Sequence, residues 1–516
     1  MNRKQTFAGF LWLAIFALLS LVGDGRFAPL AAWLAPIFAI RFYRQYEKGG
    51  RGFLWLWLVT AVTSAIVWSG ATALHFISPV AEPILATLMA PIALVPLVVD
   101  RFYYRRWGNN PKLRFWLTLV YPISLTAIDY FSILASPFGS FGAFGYSQMG
   151  VTTLMQVTAV TGLWGIPFII GWFASLINYA WESDFRWVSI KRGVITYATF
   201  ILIILGLSIS RTTFAAPAEQ SAAIGGFSLT KETFGATLGL AQSGEEAAFR
   251  TAATELNSQQ IAQIRTMAQQ GAEIVSLQEG SGMGYSAEIE TLLADAAVVA
   301  QEEGIYIILP TITIDPAGEA PPENVVRIID PIGAIVLEHY KYGGAQFEGS
   351  VVGSGELQTV ETPYGTLSAI ICWDADFQAT LRQAGEKEID LLFVPSNDWL
   401  EIKDRHAGMA TFRSVENGVP IFRQTGAGIS VVTDAYGRAV SNVDSFAESG
   451  NGLWSSEQIV ATPLGSVNTL YSQLGDAFGQ IMLLGMLGLL GFAWLKRKQS
   501  SEAAAHEQLP TPVHTH

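Results

Sequence analysis

The chain has 516 residues, half of them hydrophobic and 14% charged, with a formal net charge of −12 and one cysteine. A mean hydropathy of +0.34 is too apolar for a water-soluble protein of this length and predicts a membrane protein with a polar part attached. The single thiol excludes an intrachain disulfide. The acidic balance argues against nucleic acid or anionic headgroups as partners held by charge alone.

A helix needs roughly 20 apolar residues to cross the hydrocarbon. Read in chain order, spans are predicted near 7–22, 29–40, 53–74, 83–99, 115–134, 156–180 and 193–210, and an eighth near 478–495. The second is short and broken by proline. The first is not a cleaved leader, because no Ala-x-Ala-like site ends it and further spans follow. Lys and Arg orient the spans. Arg3, Lys4, Arg41, Arg44, Lys48, Arg51, Arg101, Arg105, Arg106, Lys112, Arg114, Arg186, Lys191, Arg192, Lys496, Arg497 and Lys498 all fall on one side if the spans alternate. The opposite short loops carry only Arg26. The expected layout is therefore a seven-helix membrane domain at 1–212 and an outer domain at 213–477. A final span follows at 478–495, then a disordered cytoplasmic tail at 496–516. Both termini would be cytoplasmic.

The outer block, 211–477, holds 13 Lys and Arg against 34 Asp and Glu, which suits a solvated surface. Strands are predicted at 237–242, 272–277, 304–309, 366–372, 389–395, 421–423 and 429–433, with a hairpin over 325–339. Helices are predicted at 245–270, 286–303, 378–385 and 407–416. Such alternation argues for a layered α/β domain.

Active sites in such sheets collect beyond the carboxyl ends of strands. Glu279 lies two residues past Leu277, Lys341 two past the hairpin, and Cys372 closes the 366–372 strand. Singly, each has a bland reading: a cap, a solvated charge, a core thiol. Together they make a set suited to acyl transfer through sulfur. A carboxylate can take the thiol proton, and an ammonium with the Trp373 amide can hold an oxyanion. No HExxH or Cys/His pattern, GxSxG elbow or phosphate loop competes with this set. Neither metal nor cofactor is expected.

The set resembles the nitrilase (carbon-nitrogen hydrolase) superfamily, with its Glu–Lys–Cys triad on a four-layer αββα sandwich. Glu323-Asn-Val-Val-Arg-Ile-Ile-Asp-Pro-Ile-Gly333 with Tyr340-Lys341, Ile371-Cys-Trp-Asp374 and Leu392-Phe-Val-Pro-Ser-Asn397 carry the resemblance. Eight spans with this block between the seventh and eighth, Phe144-Gly-Tyr-Ser-Gln148, and Asn397-Asp-Trp399 ahead of Arg413-Ser-Val-Glu416 are similar to the apolipoprotein N-acyltransferase family. That resemblance implies a bacterial inner-membrane enzyme, with its catalytic domain outside the cytoplasm. It would move an acyl chain from a phospholipid to the N-terminal amine of a diacylglyceryl-cysteine lipoprotein. Carried over, Glu279 is the base, Lys341 the oxyanion stabiliser and Cys372 the thioester carrier. Trp373, Glu348 and Asp374 support them, and Phe347, Asn397 and Trp399 bind substrate. The protein is expected to act as a monomer. Gln346-Phe-Glu348 shortens the family's Pro-Phe-Gly-Glu motif, and only 349–357 separates it from the next strand, so the arm over the site would be short. A membrane-tethered amidase, with water as acceptor, is the alternative.

Overall fold

The computed structural model describes residues 3–72, 74–134, 136–215, 218–447 and 452–507. Each of the eight expected spans is helical. Among the described residues, six helices are long and apolar enough to cross a membrane: Gly49–Val67, Ala81–Trp107, Trp116–Leu134, Thr152–Glu182, Trp187–Thr213 and Ala477–Lys496. Phe7–Val22 is apolar but shorter, and Pro29–Gln45 is a 17-residue helix with Pro36 inside it. Leucines and isoleucines such as Leu58, Ile66, Leu202 and Leu484 remain exposed on them, as helices facing hydrocarbon must leave them. The chain is a membrane protein.

The third, sixth and eighth spans depart from expectation. The third helix stops at Val67 rather than running to 74. Gly70 turns at φ +73°, and the Glu82 carboxylate accepts the amides of Gly70 at 2.7 Å and Thr72 at 2.9 Å. Those bonds replace the helical ones that the turn gives up. The sixth span is interrupted at Gly162, φ +61°, where any Cβ would strike the Tyr471 ring. At the other end, the last helix continues to Glu507, past the expected limit of 495; residues 508–516 of the expected tail lie outside the described residues.

The polar part contains two mixed sheets. One runs, edge to edge, Trp454–Leu464, Gln220–Leu229, Ile274–Leu277, Tyr306–Thr313, Glu323–Ile329, Ile335–Tyr340, with Gly282–Gly284 beside Tyr306–Thr313. The other runs Ala439–Asp444, Ile429–Thr433, Ile421–Arg423, Leu391–Phe393, Gly365–Ala369, Val360–Thr362. Alternate residues point to opposite faces. Thus Ile224, Ile308, Val326 and Ile328 meet Leu367, Ala369, Phe393 and Phe422 between the sheets. On the far face of the first sheet, Val275, Ile307 and Leu309 meet Ile264, Leu292 and Val299 of helices Glu246–Gln269 and Ser286–Glu303. On the far face of the second, helices Gln378–Glu386 and Lys403–Asn417 supply Leu381, Ala384, Ala407 and Ala410. Each Val, Leu, Ile or Phe among them contributes about 1.5–3 kcal/mol when buried. The result is the expected nitrilase-like sandwich of helix, sheet, sheet and helix.

The segment 237–242, expected as a strand, is helical, within Lys231–Ser243. Thr230 caps its start and Gly244, left-handed, ends it. Its apolar pairs pack beside Phe249 and Tyr285. The true first strand is Gln220–Leu229, whose Gly225 and Gly226 weaken its strand signal. Both are close-packed: a Cβ on Gly226 would lie 2.2 Å from Gln424 Oε1, and one on Gly225 3.0 Å from Met267 Sδ.

Candidate active site

Three strand ends and one helix build the site. Beyond Ile274–Leu277, Glu279 is buried, and its Oε1 accepts from Lys341 Nζ at 2.7 Å and Asn324 Nδ2 at 2.8 Å. Its Oε2 accepts the Asn397 amide at 3.1 Å. Lys341, one residue past Ile335–Tyr340, also bonds Glu348 Oε1 at 2.5 Å. Burial opposes the Lys341 charge, but Glu279, then Glu348 and Cys372, outweigh it and raise its pKa above the usual lysine value. The paired carboxylates therefore favour the ammonium form. Burial is also the chief cause of a raised Glu348 pKa, with Lys341 opposing it.

Cys372 is not the last residue of a strand, as expected. The strand ends at Ala369 and Cys372 opens a 3₁₀ turn, Cys372–Asp376. Its φ is +44°, a left-handed conformation that costs a side-chain-bearing residue about 1–3 kcal/mol. The turn is held closed by Asp374. Its Oδ2 accepts Ile371 N at 2.9 Å and bonds His339 Nε2 at 2.8 Å, while Oδ1 accepts the amides of Tyr342 and Gly343. Asp374 thus faces away from the cavity and clamps the cysteine turn to the lysine loop. The Trp373 amide, in the first turn of a helix, has no carbonyl behind it to bond. Burial pushes the Cys372 thiol well above its usual pKa; Glu279 adds to this, and Lys341 opposes it. The thiol is protonated at rest.

A cavity of about 300 Å³ opens at this point. Lys341, Phe347, Glu348, Cys372, Trp373, Asn397 and Trp399 line it from the sandwich. Ala71, Thr72, Leu74, Phe138 and Phe141 line it from the membrane part. Seven of the nine residues expected at the site thus share one cavity; Glu279 stands behind Lys341 and Asp374 beneath the turn. Phe138, Phe347 and Trp373 form a cluster of near-parallel rings, with Phe138 centred 5.3 Å from Phe347 and 5.7 Å from Trp373, and Phe347 6.2 Å from Trp373. Trp399 Nε1 donates to Gly70 O at 2.6 Å.

Residues 231–456 match the family model described as carbon-nitrogen hydrolase. This part of the chain is a carbon-nitrogen hydrolase domain. Curated relatives include the apolipoprotein N-acyltransferase of Borreliella burgdorferi, 25% identical over 206 residues, covering 37% of this chain and 37% of the relative. That of Haemophilus influenzae is 28% identical and covers 26% and 24%; that of Pasteurella multocida is 30% identical and covers 26% and 25%. The chain therefore aligns with 24% to 37% of the length of these relatives. Among solved structures, an amidase from Nesterenkonia sp. is 15% identical, with a TM-score of 0.38, covering 51% of this chain and 95% of that one.

The carbon-nitrogen hydrolase domain brings a further polar side chain to the cavity that spacing did not reveal. His406 of helix Lys403–Asn417 lines it. Its Nδ1 bonds Asp398 Oδ1 at 2.8 Å, and Arg423 Nη2 bonds both Asp398 oxygens at 2.8 and 3.0 Å. Donor atoms of Cys372, Asp398 and His406 lie within 4.8 Å of one another. They do not suit a cation, because the Arg423 guanidinium already occupies Asp398. Burial works against the Asp398 charge, but Arg423 and His406 outweigh it and lower its pKa. Phe138 and His406 were missed because neither follows a strand. A cue for Phe138 lay in its flanking Pro137 and Gly139: a Cβ at Gly139 would meet Asp376 O at 2.5 Å, so the loop lies against the cysteine turn.

Proposed function

We propose that the protein moves an acyl chain from a phospholipid to the N-terminal amine of a diacylglyceryl-cysteine lipoprotein, through a thioester on Cys372. The observation that supports this reading best is the composition of the cavity. A protonated thiol beside a buried Glu–Lys pair faces aromatic and aliphatic walls, partly contributed by the membrane segments. An acyl donor dissolved in the bilayer would reach such a site; a donor soluble in water needs no such wall.

Glu279 takes the thiol proton and the thiolate attacks the ester carbonyl. Lys341 Nζ and the Trp373 amide receive the negative charge that develops on the carbonyl oxygen. Glu279 returns the proton to the leaving lysophospholipid oxygen. An amine then attacks the thioester and Cys372 departs. Asn397 orients Glu279 through its amide, and Phe138, Phe347 and Trp373 hold the chain. In this reading the protein lies in a bacterial inner membrane with its carbon-nitrogen hydrolase domain outside the cytoplasm.

The test is to incubate detergent-purified protein with phospholipid carrying a labelled acyl chain. Label on Cys372 that hydroxylamine releases, and that Cys372→Ala abolishes, is expected. If no phospholipid labels Cys372 while small amides are hydrolysed, the chain is a membrane-tethered amidase instead.

A further inference from the structure

An α-amine in water is mostly an ammonium at pH 7, its pKa being about 7.7–8.0. To become an amide nitrogen it must lose two protons. One goes with the departing sulfur: Glu279 takes it from the attacking nitrogen and passes it to Cys372 Sγ. The other must leave before attack, because an ammonium has no lone pair. Water as acceptor poses no such demand. The first set of residues holds no second base. Lys341 is held in the ammonium form, and Glu348 is tied to its Nζ.

His406 lines the same cavity as the thiol. A ring nitrogen lies within 4.8 Å of Cys372 Sγ. Its Nδ1 is committed to Asp398, which Arg423 keeps ionised. The neutral ring therefore carries its proton on Nδ1 and its lone pair on Nε2. Nε2 lies 3.6 Å from Asp376 Oδ2, a buried oxygen without a hydrogen bond among the described residues. Burial raises the Asp376 pKa to about 6, with His406 and then Arg413 opposing the rise; in its ionised form this carboxylate is positioned to stabilise an imidazolium once Nε2 is protonated. Other charged groups near the ring act indirectly: Arg423 through Asp398, and Arg413 through the Asp376 backbone carbonyl at 3.3 Å. Phe141 closes the remaining side, edge-on at 5.3 Å.

We propose that His406, held between Asp398 and Asp376, takes the first proton from the acceptor's ammonium and so makes the protein an amine acyltransferase rather than a hydrolase. This rests on the acyl-transfer reading above. The ammonium loses H⁺ to Nε2, giving imidazolium and free amine. The amine attacks the thioester, its second proton passes through Glu279 to Sγ, and the imidazolium releases its proton to solvent. Nothing is oxidised or reduced.

The test separates loading from discharge. Full-length protein in detergent is loaded with labelled phospholipid. It is then mixed with a diacylglyceryl-cysteine peptide bearing a free amine, with hydroxylamine, which is largely unprotonated at neutral pH, or with buffer alone. His406→Gln is expected to load but to discharge to the peptide at least tenfold more slowly at pH 7, and to recover as pH rises past that of the amine. Discharge to hydroxylamine should not slow. Asp376→Asn should show a smaller defect of the same kind and covers the case in which His406→Gln fails to load. Equal peptide discharge in variant and wild type, or a parallel loss with all three acceptors, overturns the proposal. A wild-type protein that never acquires label overturns the acyl-transfer reading itself.

Discussion

Arg405 Nη2 lies 3.0 Å from Asp24 Oδ2, joining the helix that carries His406 to the loop between the first two helices of the chain. Arg26 shares the same carboxylate at 2.6 Å. Arg405 also donates to Val67 O at 2.7 Å and lies 4.2 Å over the Trp68 ring. Burial, then Arg26, lowers the Arg405 pKa to about 10, and Asp24 opposes that fall. Removing Asp24 leaves two guanidinium groups facing each other, whereas removing Arg405 leaves Asp24 paired with Arg26. Asp24→Asn should therefore destabilise more than Arg405→Gln. A loss of about 3–5 kcal/mol is expected for a broken buried pair of this kind. Thermal inactivation of the detergent-solubilised variants would rank them, and the reverse order would refute this account of the contact.

Asp374 accepts three backbone amides and bonds His339. Asp374→Asn keeps one acceptor oxygen and brings an N–H against donors. Two charge-assisted bonds at about 1.5–3 kcal/mol each are at risk. The variant should lose roughly 3–6 kcal/mol, and Cys372 should become readily alkylated as its turn loosens. Thermal shift and alkylation rate both read this out.

Cys372 should alkylate slowly at neutral pH, with a rate that climbs only above the usual thiol range. Its pKa is raised by burial and by Glu279 and lowered by Lys341. The sign for each variant follows. Glu279→Gln removes a raising charge, so the alkylation midpoint moves to lower pH, although acyl transfer is abolished. Lys341→Met removes a lowering charge and moves the midpoint up. Iodoacetamide rates across pH would show both shifts, and a fall in the Lys341→Met midpoint would contradict the geometry.

Phe138→Ala removes a ring stacked on both Phe347 and Trp373. Stacking contributes about 0.5–1.5 kcal/mol per pair. Loading of Cys372 by a long-chain phospholipid should fall about tenfold, while loading by a short-chain ester changes less. Comparing the two donors separates a lost chain contact from a general loss of fold.

The polar core of the site was legible because Glu279, Lys341 and Cys372 each follow an apolar run. Spacing alone then places them at one end of the sheets. Helix Lys231–Ser243 misled because Leu238-Gly-Leu240-Ala reads as a strand, whereas the glycine pair that lets Gln220–Leu229 pack under Gln424 reads as a loop. His406 and Phe138 were missed for a different reason. For Phe138 the contacts that place its loop are distant in sequence: Ser140, two residues on, meets Arg413 across 273 positions. Asp398 and Arg423 pair across two strands. The orientation of Cys372 depends on a positive φ, which no local residue preference signals.

The wall formed by Ala71, Thr72, Leu74, Phe138 and Phe141 has a practical corollary for inhibitor discovery. A fragment cut at 213 and 477 would present Cys372 in a half-open trough. Covalent ligands selected against that fragment would be ranked by thiol reach alone. Compounds that span Leu74 and Phe138 would score only against the intact chain, so screening belongs in nanodiscs or detergent rather than with a truncated reagent.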